Sequence, residues 1–450
     1  MRNLAFSDPD EPGYEPISHY GPGGLCPISL GLSIGPGSPP RYHIVAKIGR
    51  GSFSTVWLAH DYDASRNVAL KILRAEALAT SKEVEIFERL KVSGGPEQHV
   101  VELLDAFDHP SANGLHRVLV MEPVVNFDLR LSSDYSPKVG REAIHQMIAG
   151  VAFIHSRGVV HGDLHPANFG LAAPELNRFS DLDLWRCMIV PEAFPMVPTS
   201  RIWNSDAFPP YFCNCSDLGE LLVHCVPEFV QRPLSVRVLD LGNAFLVDES
   251  LPPKASTPIP YAAPEIVFSW NVLDTKDVVS DQRSDIWSLA LSIYNLVSSN
   301  DLFAIFSPPH GDVLYKMMCY CGEVPDAWRG RFTEDPFPPG VSGAAHADDL
   351  WNDVEQTFAK RGVEDPAALV RLLRRMMVFD PSRRPTAAEL LRDPYFRILQ
   401  TKPSHDGHES GELPDACAAA SRPLLLNLSV PSERECGEEQ DFHINRALHQ

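Results

Sequence analysis

The chain has 450 residues, 44% hydrophobic and 22% charged, which is enough apolar mass to bury a sizeable core. Its 39 Lys and Arg against 59 Asp and Glu give a formal charge of −20, so a nucleic-acid groove is not expected and basic partners are favoured. Nine scattered cysteines form no disulfide framework, no apolar run reaches membrane-spanning length, and no signal segment opens the chain, so a soluble, intracellular protein without membrane association is expected.

Residues 1–40 are rich in Pro, Gly and Ser and read as an extended lead-in. From Arg41 to about Lys71 the runs RYHIVAKIG, STVWLAHD and NVALKIL are short, β-branched and apolar, and predict an antiparallel meander. Val84, Ile86, Phe87 and Leu90 make a helical stripe within 81–92, and HVVELLDAF and HRVLVMEPV predict further strands. After Val125 the pattern turns helical. Residues 141–158 form an amphipathic helix ending at Gly158, and 285–299 are apolar nearly all round, as in a buried core helix. Helices over 365–380 and 386–396 close the domain. Strands first and helices later predict an α+β protein of two lobes, 41–124 and 125–396. The proline-rich stretch 172–234 reads as a partly structured insert, and the polar, acidic 397–450 as a disordered tail.

The chemistry-bearing residues begin with IGRGSFSTVWLA (48–59). Gly49 and Gly51 lie between two strand-like runs, where a tight turn brings backbone N–H groups onto phosphates. Ile48, Gly49, Arg50, Gly51, Ser52 and Val56 form the expected nucleotide-facing loop, with Ala69 and Lys71 from the next strand. The Lys71 ammonium is placed for the α- and β-phosphates, and Glu83 or its competitor Glu85 would hold it. Glu122 (carbonyl) and Val124 (amide) would read an adenine edge from a hinge between the lobes.

In VVHGDLHPANFG, Asp163 is placed to accept the proton of an attacking hydroxyl, His161 to brace the loop, and Asn168 to offer its amide oxygen to Mg²⁺. VRVLDLGNA delivers Asp240 at the end of a strand, a second oxygen ligand for a hard cation. Glu265 of YAAPE and Arg384 are expected as a buried ion pair, and Asp285 as an acceptor for the catalytic-loop backbone. Alone, each has a plainer reading: a hairpin glycine, a snorkelling lysine, a solvated carboxylate. Six elements in this order make coincidence the weaker account.

This set resembles the eukaryotic-type protein kinases over roughly Arg41 to Phe396. YGPGGLCPISLG ahead of the first strands, DLGNA in the DFG position and an insert before it are similar to the SR-protein kinases, and the compact insert and EVPDAW to their fungal branch. The resemblance implies a two-lobed kinase fold, ATP and Mg²⁺ as cofactors, and Ser/Thr phosphorylation of a protein substrate, with a basic Arg/Ser-rich one as the finer expectation. It also implies a monomer without direct nucleic-acid binding, in the cytoplasm or nucleus.

Three positions depart from the usual kinase pattern. Ser54 replaces the third loop glycine. Gly162 replaces the arginine that receives an activation-loop phosphate, which implies activity not gated in that way. His165 replaces the catalytic-loop lysine; at an unperturbed pKa of ~6.5 it is partly charged at neutral pH, so transfer should be slower and rise as pH falls. HGDLHPAN also resembles the loop of aminoglycoside- and choline-type kinases, so a small-molecule phosphotransferase is the alternative, weakened by YAAPE and SDIWSLA. A nucleotide-binding pseudokinase is weakened by the presence of Lys71, Asp163, Asn168 and Asp240.

Overall fold

Period-two alternation of apolar residues dominates the first lobe. In the computed structural model its elements are β1 (Ser33–Ile34), β2 (Tyr42–Arg50), β3 (Ser54–Asp61), β4 (Arg66–Leu73), α1 (Glu83–Leu90), β5 (Leu103–Ser111) and β6 (Gly114–Met121). The structure describes residues 14–91, 99–126, 137–187, 193–196, 205–226, 228–250, 252–275, 278–304, 311–328, 330–332 and 336–401. The six strands form one sheet of order β1-β2-β3-β4-β6-β5. Alternation sends Leu70 and Ile72 to one face with Val118 and Val120. Lys71 and Leu73 turn to the other, whose Leu58, Leu73 and Leu119 belong to the same buried core as Ile86 and Phe87 of α1.

The lead-in, expected to be merely extended, is part of this lobe from Tyr14 on. β1 pairs with β2, and Leu25, Cys26, Ile28 and Ile34 are buried. Glu15 forms an ion pair with Lys47 of β2 in which both side chains are only 2% exposed. The Lys47 ammonium also donates to the Cys213 carbonyl at 3.1 Å.

The second lobe continues with β7 (Val124–Asn126), α2 (Pro137–Ser156), β8 (Val159–Val160) and β9 (Phe169–Ala172). The insert follows: α3 (Asp181–Cys187), β10 (Ala193–Pro195), β11 (Tyr211–Cys213), α4 (Leu218–Cys225) and α5 (Glu228–Gln231). It returns through β12 (Val236–Val238) to form the sheet β12-β9-β7, while β10 pairs with β11. The insert reaches the first lobe. Asn113 donates to the carbonyls of both Leu25 and Ala207, Ser216 N to Lys47 O, and the Tyr211 hydroxyl accepts from Leu30 N.

The remaining elements are β13 (Phe245–Leu246), α6 (Pro264–Asn271), α7 (Gln282–Ser298), α8 (Gly311–Cys321), α9 (Gly343–Lys360), α10 (Pro366–Met376) and α11 (Ala387–Leu390). Helix α7 starts at a capping box in which Asp281 accepts from Ser284 N while Ser284 Oγ accepts from Asp281 N. It buries Ile286, Trp287, Leu289, Ala290 and Ile293, as its all-round apolar sequence predicts. Each of the aliphatic side chains Ile286, Leu289 and Ile293 contributes about 1.5–3 kcal/mol.

Two helical expectations need correction. The helix expected over 386–396 stops at Leu390, and a 3₁₀ segment resumes at Pro394, whose ring removes a helical donor. Helix α9 was not expected, although Ala347, Trp351, Val354 and Phe358 recur on one buried face. Beyond Thr401 the acidic tail lies outside the described residues. Among the described residues no helix is long and apolar enough to cross a membrane.

Candidate active site

The cleft side of the first sheet carries the loop and the strand lysine. The β2–β3 turn is closed by Gly51 N donating to Ser54 O at 2.9 Å. Gly49 lies opposite Val56, and a Cβ at Gly49 would stand 3.2 Å from the Val56 Cβ, so glycine permits that approach. Arg50, Gly51 and Ser52 are exposed, Ile48 and Val56 half-buried, and Ala69 buried. Val56 pairs with Lys71 across β3 and β4, which sets the lysine beneath the loop.

Lys71 Nζ donates to Glu83 Oε1 and Oε2 at 2.6 and 2.8 Å and to Asp240 Oδ1 at 2.7 Å. Glu83 is buried at the start of α1, whereas Glu85 is exposed, so the structure pairs Lys71 with Glu83. Burial opposes the lysine charge, but the Asp240 and Glu83 carboxylates outweigh it and hold the ammonium well above its ordinary range. Lys71 in turn pulls the Asp240 carboxyl down to about 2, so the carboxylate is ionised. Asp240 itself has a left-handed backbone, φ 56°. A Cβ at Gly242 would stand 3.1 Å from its Oδ1, which a bare backbone avoids.

Of the hinge residues, Glu122 lies between β6 and β7 and Val124 is the first residue of β7. Glu122 Oε1 accepts from Arg237 Nε at 2.7 Å and from Glu102 N at 3.0 Å, which turns the side chain toward β12. Val124 opens β7 opposite Ala172.

The catalytic loop is hung on a buried carboxylate. Asp285, in the first turn of α7, accepts from His161 N at 2.8 Å and Gly162 N at 3.0 Å, and its Oδ2 lies 2.9 Å from His155 Nε2. Burial alone would raise the Asp285 pKa, but His155 and the loop amides outweigh it and hold the carboxyl below its ordinary range. His161 Nδ1 accepts from Asp163 N at 3.3 Å, which leaves Nε2 to donate to Leu239 O at 2.9 Å.

Asn168 Nδ2 donates to the Asp163 carbonyl at 2.8 Å, and Asn243 Nδ2 to Asp163 Oδ2 at 2.9 Å. The imidazole of His165 is pushed below its ordinary pKa by burial, with the Asp163 carboxylate working the other way. The partial charge expected from an unperturbed ring is therefore reduced at neutral pH. Thr257 donates to Gly162 O at 3.0 Å, and Arg384 grips Glu265 through two bonds of 2.8 and 2.7 Å.

Asn243, Thr257 and His155 were not singled out in the sequence. The only sequence signal for Asn243 is its place in DLGNA.

A β-sheet lobe with a lysine tied to a helical glutamate, and a helical lobe whose core carboxylate suspends the catalytic loop, define the two-lobed kinase fold. The chain belongs to the protein kinase domain family, whose model matches residues 42–200 and 229–396. Serine/threonine-protein kinase SKY1 of Saccharomyces cerevisiae is 32% identical over 179 residues, 36% of this chain but only 24% of that protein. The chain thus aligns with about a quarter of SKY1's length. Serine/threonine-protein kinase SRPK of Physarum polycephalum is 26% identical over 409 residues, 85% of this chain and 91% of that one. Both are kinases of the SR-protein-kinase group, which the lead-in and DLGNA resemble. A crystal structure of a kinase domain superposes with TM-score 0.50 at 16% identity, over 79% of this chain and 95% of that one, and shows the fold alone.

Proposed function

We propose that this chain is an ATP-dependent serine/threonine protein kinase that transfers the γ-phosphoryl group to a protein hydroxyl, with basic Arg/Ser-rich proteins as substrates. The observation that carries the reading is the Lys71–Glu83–Asp240 cluster. It joins the sheet lobe to the strand end beside Asp163 and presents a fixed ammonium next to an ionised carboxylate. The formal charge of −20 suits a basic substrate through long-range attraction.

The donor set fits Mg²⁺, a hard cation that takes one or two protein oxygens plus phosphates. Asp240 is ionised, and Asn168 commits its amide nitrogen to Asp163, which leaves its oxygen for the cation. Bound there, Mg²⁺ would neutralise charge on the phosphates. The chain's own residues do the rest. Lys71 binds phosphate oxygens, the loop backbone covers them, and the hinge of Glu122 and Val124 orients the base. Asp163 orients the attacking hydroxyl and accepts its proton.

Transfer from labelled ATP with Mg²⁺ to an Arg-Ser repeat peptide, a generic basic protein and an aminoglycoside and choline panel tests the reading. The peptide is expected to be preferred. Labelling of the small molecules alone would replace this function with small-molecule phosphotransfer.

His165 adds a pH prediction. Its pKa is lowered by burial, so the ring is largely neutral at pH 7.5 and gains charge only on acidification. Wild-type kcat should climb as pH falls from 7.5 toward 6, and His165→Lys should be about tenfold faster at pH 7.5, the worth of roughly 1.4 kcal/mol. A variant no faster at pH 7.5 would sink this role for His165.

A further inference from the structure

We infer that Asn243 is a positioning residue for the catalytic carboxylate: its side-chain amide fixes one oxygen of Asp163 and leaves the other for the attacking hydroxyl. This rests on the reading of Asp163 as the catalytic base.

The placement follows from strand register. β13 and β8 are antiparallel, with Phe245 opposite Val160 and Leu246 opposite Val159. Carried two residues further, that register brings Asn243 opposite Gly162, beside Asp163. The approach there needs a glycine. Gly162 has φ +76°, and a Cβ on it would stand 3.0 Å from the Asn243 carbonyl oxygen. Gly162, which reads in the sequence as the loss of an arginine, is thus the position that admits Asn243.

Several contacts hold Asp163. Its amide donates to His161 Nδ1, its carbonyl accepts from Asn168 Nδ2, and its Oδ2 accepts from Asn243 Nδ2 at 2.9 Å. Oδ1 is buried and has no hydrogen-bond partner among the described residues. A buried carboxylate oxygen without a donor is costly, and a substrate hydroxyl would satisfy it once the groups that cover it in this structure move aside. The terminal carboxylate torsion is broad and roughly two-fold when nothing pins it. One amide hydrogen bond narrows it, and misalignment of a catalytic group is expensive in rate. An amide also donates without bringing the positive charge of a lysine or arginine beside the base.

The test is a double-mutant cycle in labelled-ATP assays. Asn243→Ala should lower kcat about ten- to a hundredfold, the worth of one hydrogen bond to a charged group, with the KM for ATP unchanged. Asn243→Asp keeps the shape but cannot donate, and should lose at least as much. In an Asp163→Asn background, Asn243→Ala should cost nothing further, because the carboxylate it positions is gone. The same fold-loss in both backgrounds, a loss confined to KM, or N243D at wild-type kcat would overturn the positioning role alone. A D163N protein as active as wild type would overturn both this inference and the proposed function.

Discussion

Asp163→Asn is expected to lower kcat by about 10²–10⁴-fold, the range over which a positioned general base contributes, and to leave the KM for ATP near the wild-type value. The split follows from the geometry. The groups proposed to bind nucleotide lie on other elements: Lys71 on β4, the hinge at the start of β7, and Asp240 after β12. The substitution keeps shape and keeps an oxygen to accept from Asn243, so the loop need not move. It replaces the unpartnered carboxylate Oδ1 with an amide N–H₂, a donor where an acceptor is required. Steady-state kinetics with the preferred peptide, alongside nucleotide titration, checks both halves. Unchanged kcat would remove Asp163 from the chemistry, and lost nucleotide binding would make its role structural.

Asp285→Ala is expected to cost about 3–5 kcal/mol of stability, because it strips a fully buried carboxylate from donors left behind in the core. Those donors are the amides of His161 and Gly162, with His155 Nε2 beside them. His161 and Gly162 are buried, so each unmade bond carries a desolvation penalty. Asp285→Asn should fall between, since it retains one oxygen but sets an N–H₂ against a donor. The sign of the pH effect is also determined. The folded-state pKa of Asp285 lies below its unfolded value, so its contribution is complete above about pH 4 and lost as pH falls through the folded value. Denaturant titrations at several pH values should show a smaller acid loss for D285A than for wild type. Equal stability at pH 7 would rule out the suspended-loop account.

Much of the site was readable from residue order, because its parts lie at the ends of regular elements. Lys71 sits mid-strand and Glu83 at a helix start, so alternation and helical phase aim them together. Asp285 occupies the first turn of a helix apolar all round, where a lone carboxylate needs partners. What stayed hidden depends on contacts far apart in the chain. Asn113 bridges Leu25 and Ala207 over separations of 88 and 94 residues, and no local pattern encodes such a link. Asn243 needs the register of β13 against β8, and the lowered pKa of His165 needs its burial. Helix α9 had an adequate apolar stripe, masked by a polar background of Asp, Glu and Gln.

The buried Glu15–Lys47 pair sets how far the kinase module can be moved or trimmed. The family match begins at residue 42, yet the counter-charge of Lys47 lies well upstream of it, at residue 15. A protein cut at residue 42 would leave the Lys47 ammonium without its carboxylate, with the Cys213 carbonyl as an acceptor that stays in place. It would also bare the sheet face that Ile28 and Ile34 cover. The portable unit, for grafting or recombinant production, therefore begins no later than Glu15.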